Sequence, residues 1–186
     1  MSNPLRILKV LDRNLNEPAE ITLFGRAALA LGYVQAPIHF HNTRDVDGIL
    51  PVAWLEPPNR HEDFWEAVQR TNSELESDGL YLTHLFRELD VILQPDWITR
   101  RIRIELPLLR LTAFRPASVD LILTKMARGD DEDLQDIQFI LQKESLTGAQ
   151  LEAAFSRARV PDLPEVRELF ERAKPKVLAL ATKAGG

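Results

Sequence analysis

The sequence predicts a mixed α/β fold, with a short mixed sheet flanked by helices over residues 1–115 and a helical segment over residues 116–186 packed on the same core. Three observations carry that expectation. β-like and helix-period runs alternate through the first two thirds, and from Arg115-Pro116 onward only helical patterns recur. The composition, 45% hydrophobic and 27% charged over 186 residues, is that of an ordinary globular chain with material for one sizeable core.

The first element is an amphipathic helix, because Leu5, Leu8, Leu11 and Leu15 recur at helical spacing behind Asn3 and Pro4, a cap and a first-turn residue. After Asn16-Glu17-Pro18 the run Ile21 to Phe24 reads as a strand closed by Gly25. Arg26 to Leu31, rich in strong helix formers, reads as a short helix closed by Gly32. Thr43 to Leu50 predicts a second strand, although two Asp and a Gly are residues that an ordinary strand avoids. The adjacent prolines within Val52 to Arg60 predict a loop, and Phe64, Trp65, Val68 and Leu75 predict a helix from His61 that ends near Asp78-Gly79. Leu80 to Phe86, Asp90 to Leu93, Arg101 to Leu106 and Leu108 to Phe114 are expected to extend the sheet. Helices follow over Pro116 to Ala127 and Asp130 to Gln142, then from a Thr147-x-x-Gln150 capping box to Arg157, and over Pro164 to Ala173. Pro175 is expected to open an alanine-rich tail that frays.

Several classes of function are excluded. With no Cys there is no thiol chemistry, thiolate metal site or disulfide. Apolar runs stop well short of the roughly 20 residues that a membrane helix needs. The N-terminal stretch has scattered charges in place of a basic head and apolar stretch, so the expectation is a cytoplasmic protein without a membrane partner. A net charge of -5 gives no overall basic footprint. There is no Gly-x-x-x-x-Gly-Lys loop, Gly-x-Gly-x-x-Gly turn or Gly-x-Ser-x-Gly elbow. His39 and His41 share a strand face by spacing, His61 and His84 stand alone, and no zinc spacing occurs. Trp54, Trp65 and Trp97 read as core or loop-packing residues.

The informative pair is Asp45 and Asp47. At i and i+2 on a strand, both carboxylates leave the same face, within reach of one shared cation. Two like charges so close raise each other's pKa unless a cation offsets them. Magnesium, a hard ion held by one or two carboxylates plus substrate phosphates, suits the pair. The plain alternative is two solvated carboxylates at a strand end.

The order strand, Gly25 turn, helix and Thr43-Arg44-Asp45-Val46-Asp47 resembles the opening of the polymerase-β-type nucleotidyltransferase superfamily. Val119 to Gly129 followed by Asp133-Leu134-Gln135-Asp136-Ile137 resembles a second signature of one branch, the AbiEii-like and DUF6036-type proteins of bacterial toxin–antitoxin systems. The two blocks span about Ile21 to Leu141. The resemblance implies a nucleotidyltransferase-type fold and a Mg²⁺-dependent transfer of a nucleotidyl group from an NTP to an RNA or protein acceptor, with a cognate partner protein. It makes Asp45 and Asp47 the metal-binding carboxylates, Gly25 the turn that approaches the phosphates, and Arg26, Arg44 and Lys125 the cationic side chains around them. A third carboxylate is to be sought at Asp90 or Glu105, and Asp133 and Asp136 are signature residues of the second block. Arg26 stands where the superfamily places Gly or Ser. For Lys125, an ion pair with Asp133 or Asp136 is the structural alternative, and for the whole chain the rival is a non-catalytic binding or regulatory module of the same fold.

Overall fold

The computed structural model describes residues 1–56 and 60–184. The chain divides into two compact units, one made of residues 1–87 and 101–115, the other of 88–100 and 116 onward. The assignment of residues 88–100 to the second unit is not visible in the sequence.

The first unit holds five strands, β1 (Ala19–Phe24), β2 (Asp45–Leu50), β3 (Tyr81–Arg87), β4 (Ile102–Ile104) and β5 (Leu111–Arg115), in the order β3-β2-β1-β5-β4. β1 runs antiparallel to β2 and parallel to β5, β2 parallel to β3, and β4 antiparallel to β5. The sheet is therefore mixed. Its inner face carries Ile21 and Leu23, Val46, Leu82 and Ala113, all buried, and the helices α1 (Asn3–Asn14), α2 (Gly25–Gly32) and α5 (Glu62–Leu75) pack in this unit. α1 buries Ile7, Leu8 and Leu11 as the leucine spacing predicts.

Gly48, an unlikely strand residue, has a steric reason. A Cβ there would meet Leu85 Cδ2 at 2.9 Å and Ile21 side-chain carbons at 3.3 Å, so glycine lets three strands close on one another.

Two departures from the predicted elements lie in this unit. Ile38–His41 forms a helical turn, α3, so His39 and His41 do not share a strand face. Val52–Leu55 forms another short helix, α4, inside the expected loop; Pro57 and Pro58 lie outside the described residues.

A single carboxylate ties α1 to the far side of the sheet. Asp12, only 8% exposed, accepts the backbone N–H groups of Leu109, Arg110 and Leu111 at 2.7–3.0 Å, at the turn that opens β5. Desolvation pushes its pKa up, but the three amides and the Arg110 charge outweigh this and hold the carboxyl below its ordinary value.

The second unit contains α6 (Ser118–Lys125), α7 (Asp131–Glu144), α8 (Gly148–Arg157) and α9 (Pro164–Ala184). Asp130 caps α7 through the Asp133 N–H, and Thr147 and Gln150 form the expected reciprocal capping box on α8. α9 continues without a break through Pro175. Phe170, Ala173, Val177 and Ala181 form one buried stripe at helical spacing on both sides of it, and that burial offsets the backbone hydrogen bond a proline forfeits. The alanine-rich tail expected to fray from Pro175 is instead helical through Ala184, because Val177 and Ala181 are buried; Gly185 and Gly186 lie outside the described residues.

Residues 90–93 do not form the expected strand. Val91, Ile92 and Leu93 are buried, and only Leu93 makes a ladder contact, an isolated bridge to Arg159. The segment is anchored by side chains: Asp120, fully buried, accepts from the Gln94 N–H and from Arg100, each at 2.8 Å. Glu88 receives the Trp97 indole N–H at 2.7 Å and the Arg159 guanidinium at 3.4 Å. Among the described residues no helix is long and apolar enough to cross a membrane.

Replacing Asp12 by Ala is expected to lower the unfolding free energy by about 3 kcal/mol in a urea titration, because three amides lose their acceptor. Asp12→Asn, which keeps one acceptor oxygen, should lose about half of that. Because the folded pKa lies below the unfolded value of about 3.9, the Asp12 contribution is present above that pH. It is withdrawn as pH falls through the folded value, so the gap between wild type and Asp12→Ala should narrow under acid.

Candidate active site

The candidate site is built on the face of β2 opposite Val46 and Gly48. Asp45 and Asp47 lie two apart on that strand and project from the same face. Both are partly buried. In the antiparallel register with β1, Asp47 pairs with Phe24, the last residue of the strand, so the turn at Gly25 sits beside the Asp47 carboxylate.

Gly25 has φ +62°, in the left-handed region that a side chain makes costly. A Cβ built there would stand 3.6 Å from Asp47 Oδ2, so the bare backbone of the turn faces that oxygen. α2 begins at Gly25, its cap residue is Phe24 in an extended conformation, and no cap side chain hydrogen-bonds to its first turn. Arg26, in the first turn of α2, is half-buried. Arg44 is exposed just ahead of β2, with its carbonyl accepting the Tyr81 N–H at 2.9 Å.

On the other side of β2, the β3 strand contains a bulge. Val46 pairs with Leu82 but Gly48 pairs with Leu85, so Thr83 and His84 together oppose the single residue Asp47. Both reach the same carboxylate oxygen: Thr83 Oγ1 donates to Asp47 Oδ1 at 3.2 Å, and His84 Nδ1 lies 3.2 Å from it. Asp47 thus has Oδ1 held from β3 and Oδ2 turned to Gly25. Asp45 is held by its own neighbour, Thr43 Oγ1 donating to Oδ1 at 2.6 Å. The Asp47 pKa is raised, first by burial and then by the charge of Asp45, against the opposing effects of His84 and Thr83. The strand therefore holds a carboxylate that a cation would stabilise.

The structure brings Asp45, Asp47 and Gly25 together, and adds Thr83 and His84, which sequence reasoning missed. Leu82 and Leu85 are three apart, a spacing that a regular strand cannot turn to one face, and the register that pairs them with Val46 and Gly48 requires the bulge between them.

Glu105 is not near this site. It follows β4, the opposite edge of the sheet three strands from β2, and is 80% exposed in a pair with Arg103. Asp90 belongs to a 3-10 turn of the second unit. Among the described residues no group of three or more His, Asp or Glu side chains is arranged to hold a metal ion.

The second block of the sequence converges on itself. Lys125, with its side chain 5% exposed, places Nζ 3.2 Å from Asp133 Oδ1 and 2.5 Å from Asp136 Oδ2. Arg128 closes the network on Asp133 with two 3.1 Å hydrogen bonds. Lys125, Arg128, Asp133 and Asp136 tie the end of α6 to α7 within the helical unit, the ion-pair alternative of the sequence reading.

Comparison with protein-family models, with curated proteins and with solved structures gives no match.

Two outcomes are expected. Asp47→Asn should melt about 2–4 °C above wild type near neutral pH without divalent ions, since about 1 kcal/mol of charge burial and repulsion is relieved. The sign follows from the raised pKa: protonating Asp47 favours the folded chain, so the difference should vanish as pH falls below the unfolded carboxylate value. Lys125→Ala should lose about 3–5 kcal/mol in denaturant titration, because two buried carboxylates lose their shared cation.

Proposed function

We propose that the chain is a magnesium-dependent nucleotidyltransferase, transferring a nucleotidyl group from an NTP to an RNA or protein acceptor within a toxin–antitoxin pair. One observation carries the reading: Asp45 and Asp47 share a strand face directly beside the Gly25 turn that opens α2. Carboxylates are needed where a hard cation meets phosphate, and a bare backbone turn at the start of a helix suits the place where the phosphates arrive. This arrangement supplies both in adjacent strands. The resemblance of the sequence blocks to the superfamily points the same way.

The donor set fits magnesium, being two carboxylates with all-oxygen chemistry and one of them destabilised as an uncompensated anion. When bound there, the ion would neutralise phosphate charge and polarise the reacting phosphoryl group. The residues themselves do the positioning. The α2 N-terminus and the Gly25 backbone receive the β- and γ-phosphates, and Arg26 and Arg44 add positive charge near the strand ends. Thr43, Thr83 and His84 fix the carboxylates, so that little reorganisation is needed as charge develops. In the transfer, the acceptor oxygen forms a bond to the α-phosphorus while the bond to pyrophosphate breaks in line with it, and the acceptor proton passes to solvent.

A second reading has its own observation. Beside Asp47, where the neighbouring strand could offer a third carboxylate, β3 presents Thr83 and His84. A binding or regulatory module with this fold needs no third acid.

Isothermal titration calorimetry with NTP and Mg²⁺ distinguishes these readings when combined with radiolabel transfer. Wild type is expected to bind, and Asp45→Asn to lose at least tenfold in affinity, about 1.4 kcal/mol. Binding without label transfer to any acceptor would favour the regulatory module, and no binding by wild type would remove the nucleotide reading.

A further inference from the structure

The bulge in β3 does more than give Asp47 two neighbours. On a regular strand Thr83 and His84 would leave opposite faces. Set together against one residue of β2, both bring an electronegative atom to Asp47 Oδ1. The contact between them closes a triangle. Thr83 Oγ1 to Asp47 Oδ1, His84 Nδ1 to Asp47 Oδ1 and Thr83 Oγ1 to His84 Nδ1 are each 3.2 Å. Hydrogen bonding cannot occupy all three edges, because the hydroxyl brings one proton, the imidazole at most one at Nδ1, and the ionised carboxylate none. At least one edge holds two electronegative atoms with no hydrogen between them.

We infer that Asp47 Oδ1, Thr83 Oγ1 and His84 Nδ1 form one face of a site for a six-coordinate, first-row transition-metal dication, sharing only Asp47 with the position proposed above for magnesium. A cation seated over the triangle attracts all three atoms at once. Its size follows from the edges. Neighbouring donors in an octahedron stand √2 times the metal–donor distance apart, so edges of 3.2 Å put the ion roughly 2.3 Å from each donor, beyond the 2.0–2.1 Å that Mg²⁺ demands. Ca²⁺ accepts such a length but takes oxygen donors. The imidazole nitrogen therefore points to the transition series, whose six-coordinate ions take faces of mixed nitrogen and oxygen donors. Among the described residues no third His, Asp or Glu completes such a face, and the Thr83 hydroxyl takes that place.

The surroundings hold the donors and leave the ion's outer side open. His84 stacks on Phe86, with centroids 5.5 Å apart and planes at 22°, and Phe24 packs edge-on against Phe86 at 5.5 Å and 77°. The imidazole plane is thus braced through Phe86 from β1, as ligand rings are braced by the groups behind them. Asp47 keeps its second oxygen toward Gly25, so occupation of Oδ1 from β3 does not consume the carboxylate. Thr83 is exposed and the His84 side chain is 65% exposed, which leaves water free to fill the positions that three protein donors do not. The site requires no nucleotide and stands whether or not the chain takes an NTP.

The test loads the full chain with Mn²⁺, without nucleotide, and reads pulsed electron paramagnetic resonance for coupling between the bound ion and an imidazole nitrogen. Thr83→Val keeps a β-branched strand residue and loses the hydroxyl. His84→Phe keeps a ring against Phe86 and loses the nitrogen, and circular dichroism confirms that each variant is folded. Wild type is expected to show the nitrogen coupling, Asp45→Asn to keep it and His84→Phe to lose it. Thr83→Val should need at least about ten times more Mn²⁺ to reach the same coupling, and a tenfold excess of Mg²⁺ should leave the wild-type coupling in place. No nitrogen coupling in wild type overturns the site, and so does coupling that survives in His84→Phe. Thr83→Val loading like wild type overturns the three-donor face, and displacement by Mg²⁺ overturns the choice of a transition ion. Bound Mn²⁺ that lacks nitrogen coupling and is lost in Asp45→Asn lies at the aspartate pair, which overturns the triangle and leaves the nucleotidyltransferase reading intact. Nitrogen-coupled Mn²⁺ in a chain that binds no NTP by calorimetry removes the transfer reaction and upholds the metal site.

Discussion

Everything around the candidate site depends on the cost of keeping two carboxylates side by side in a partly desolvated place. Asp45 and Asp47 repel, and burial makes Asp47 harder still to ionise. A sequence free to remove one of them would gain stability, and this one instead surrounds the pair with hydroxyls, a histidine and a bare glycine turn. Each is a small compensation in the right direction, and together they leave the charge only partly offset.

How much of this was legible follows from what each feature rests on. α1, β1, the Gly25 turn, α2 and β2 are local: their periods, breakers and spacing are written within about 50 consecutive residues, and the structure shows them near the expected bounds. That Asp45 and Asp47 share a face follows from the strand assignment alone. The histidines at 39 and 41 were misplaced because a short polar run between Pro37 and β2 carries no period that separates a helical turn from an extended stretch. His84 was missed for a different reason. Its importance comes from a bulge, a property of the pairing between two strands that the Leu82 to Leu85 spacing does not by itself establish.

In the helical unit the sequence reading was good for local signals and weak for continuity. The capping box and the Asp130 cap are readable because three residues suffice to make them. The passage of α9 through Pro175 is not, since the local cost of proline is plain in the sequence and the stripe of burial that offsets it belongs to the folded unit. Lys125, Asp133 and Asp136 show how one motif supports two readings. A lysine ahead of an Asp-x-x-Asp helix can meet phosphate or its own acids, and in this chain the ammonium sits between the acids with almost no solvent.

The placement of residues 88–100 has a consequence for the order in which the chain acquires structure as it is synthesised. When residue 87 emerges, β1, β2 and β3 can already pair, but β5, which must lie against β1, is still to come. The thirteen residues that emerge next belong to a unit whose helices do not yet exist, and they carry buried groups such as Ile92 and Trp97 with them. The first unit must therefore hold an open edge at β1 while an apolar tether waits for α6 to α9. Nascent chains of this kind are exposed to mispairing for the time it takes to add the remaining helices, at about 5–20 residues per second. The sheet closes only once residue 115 is available, and the tether is covered only after that.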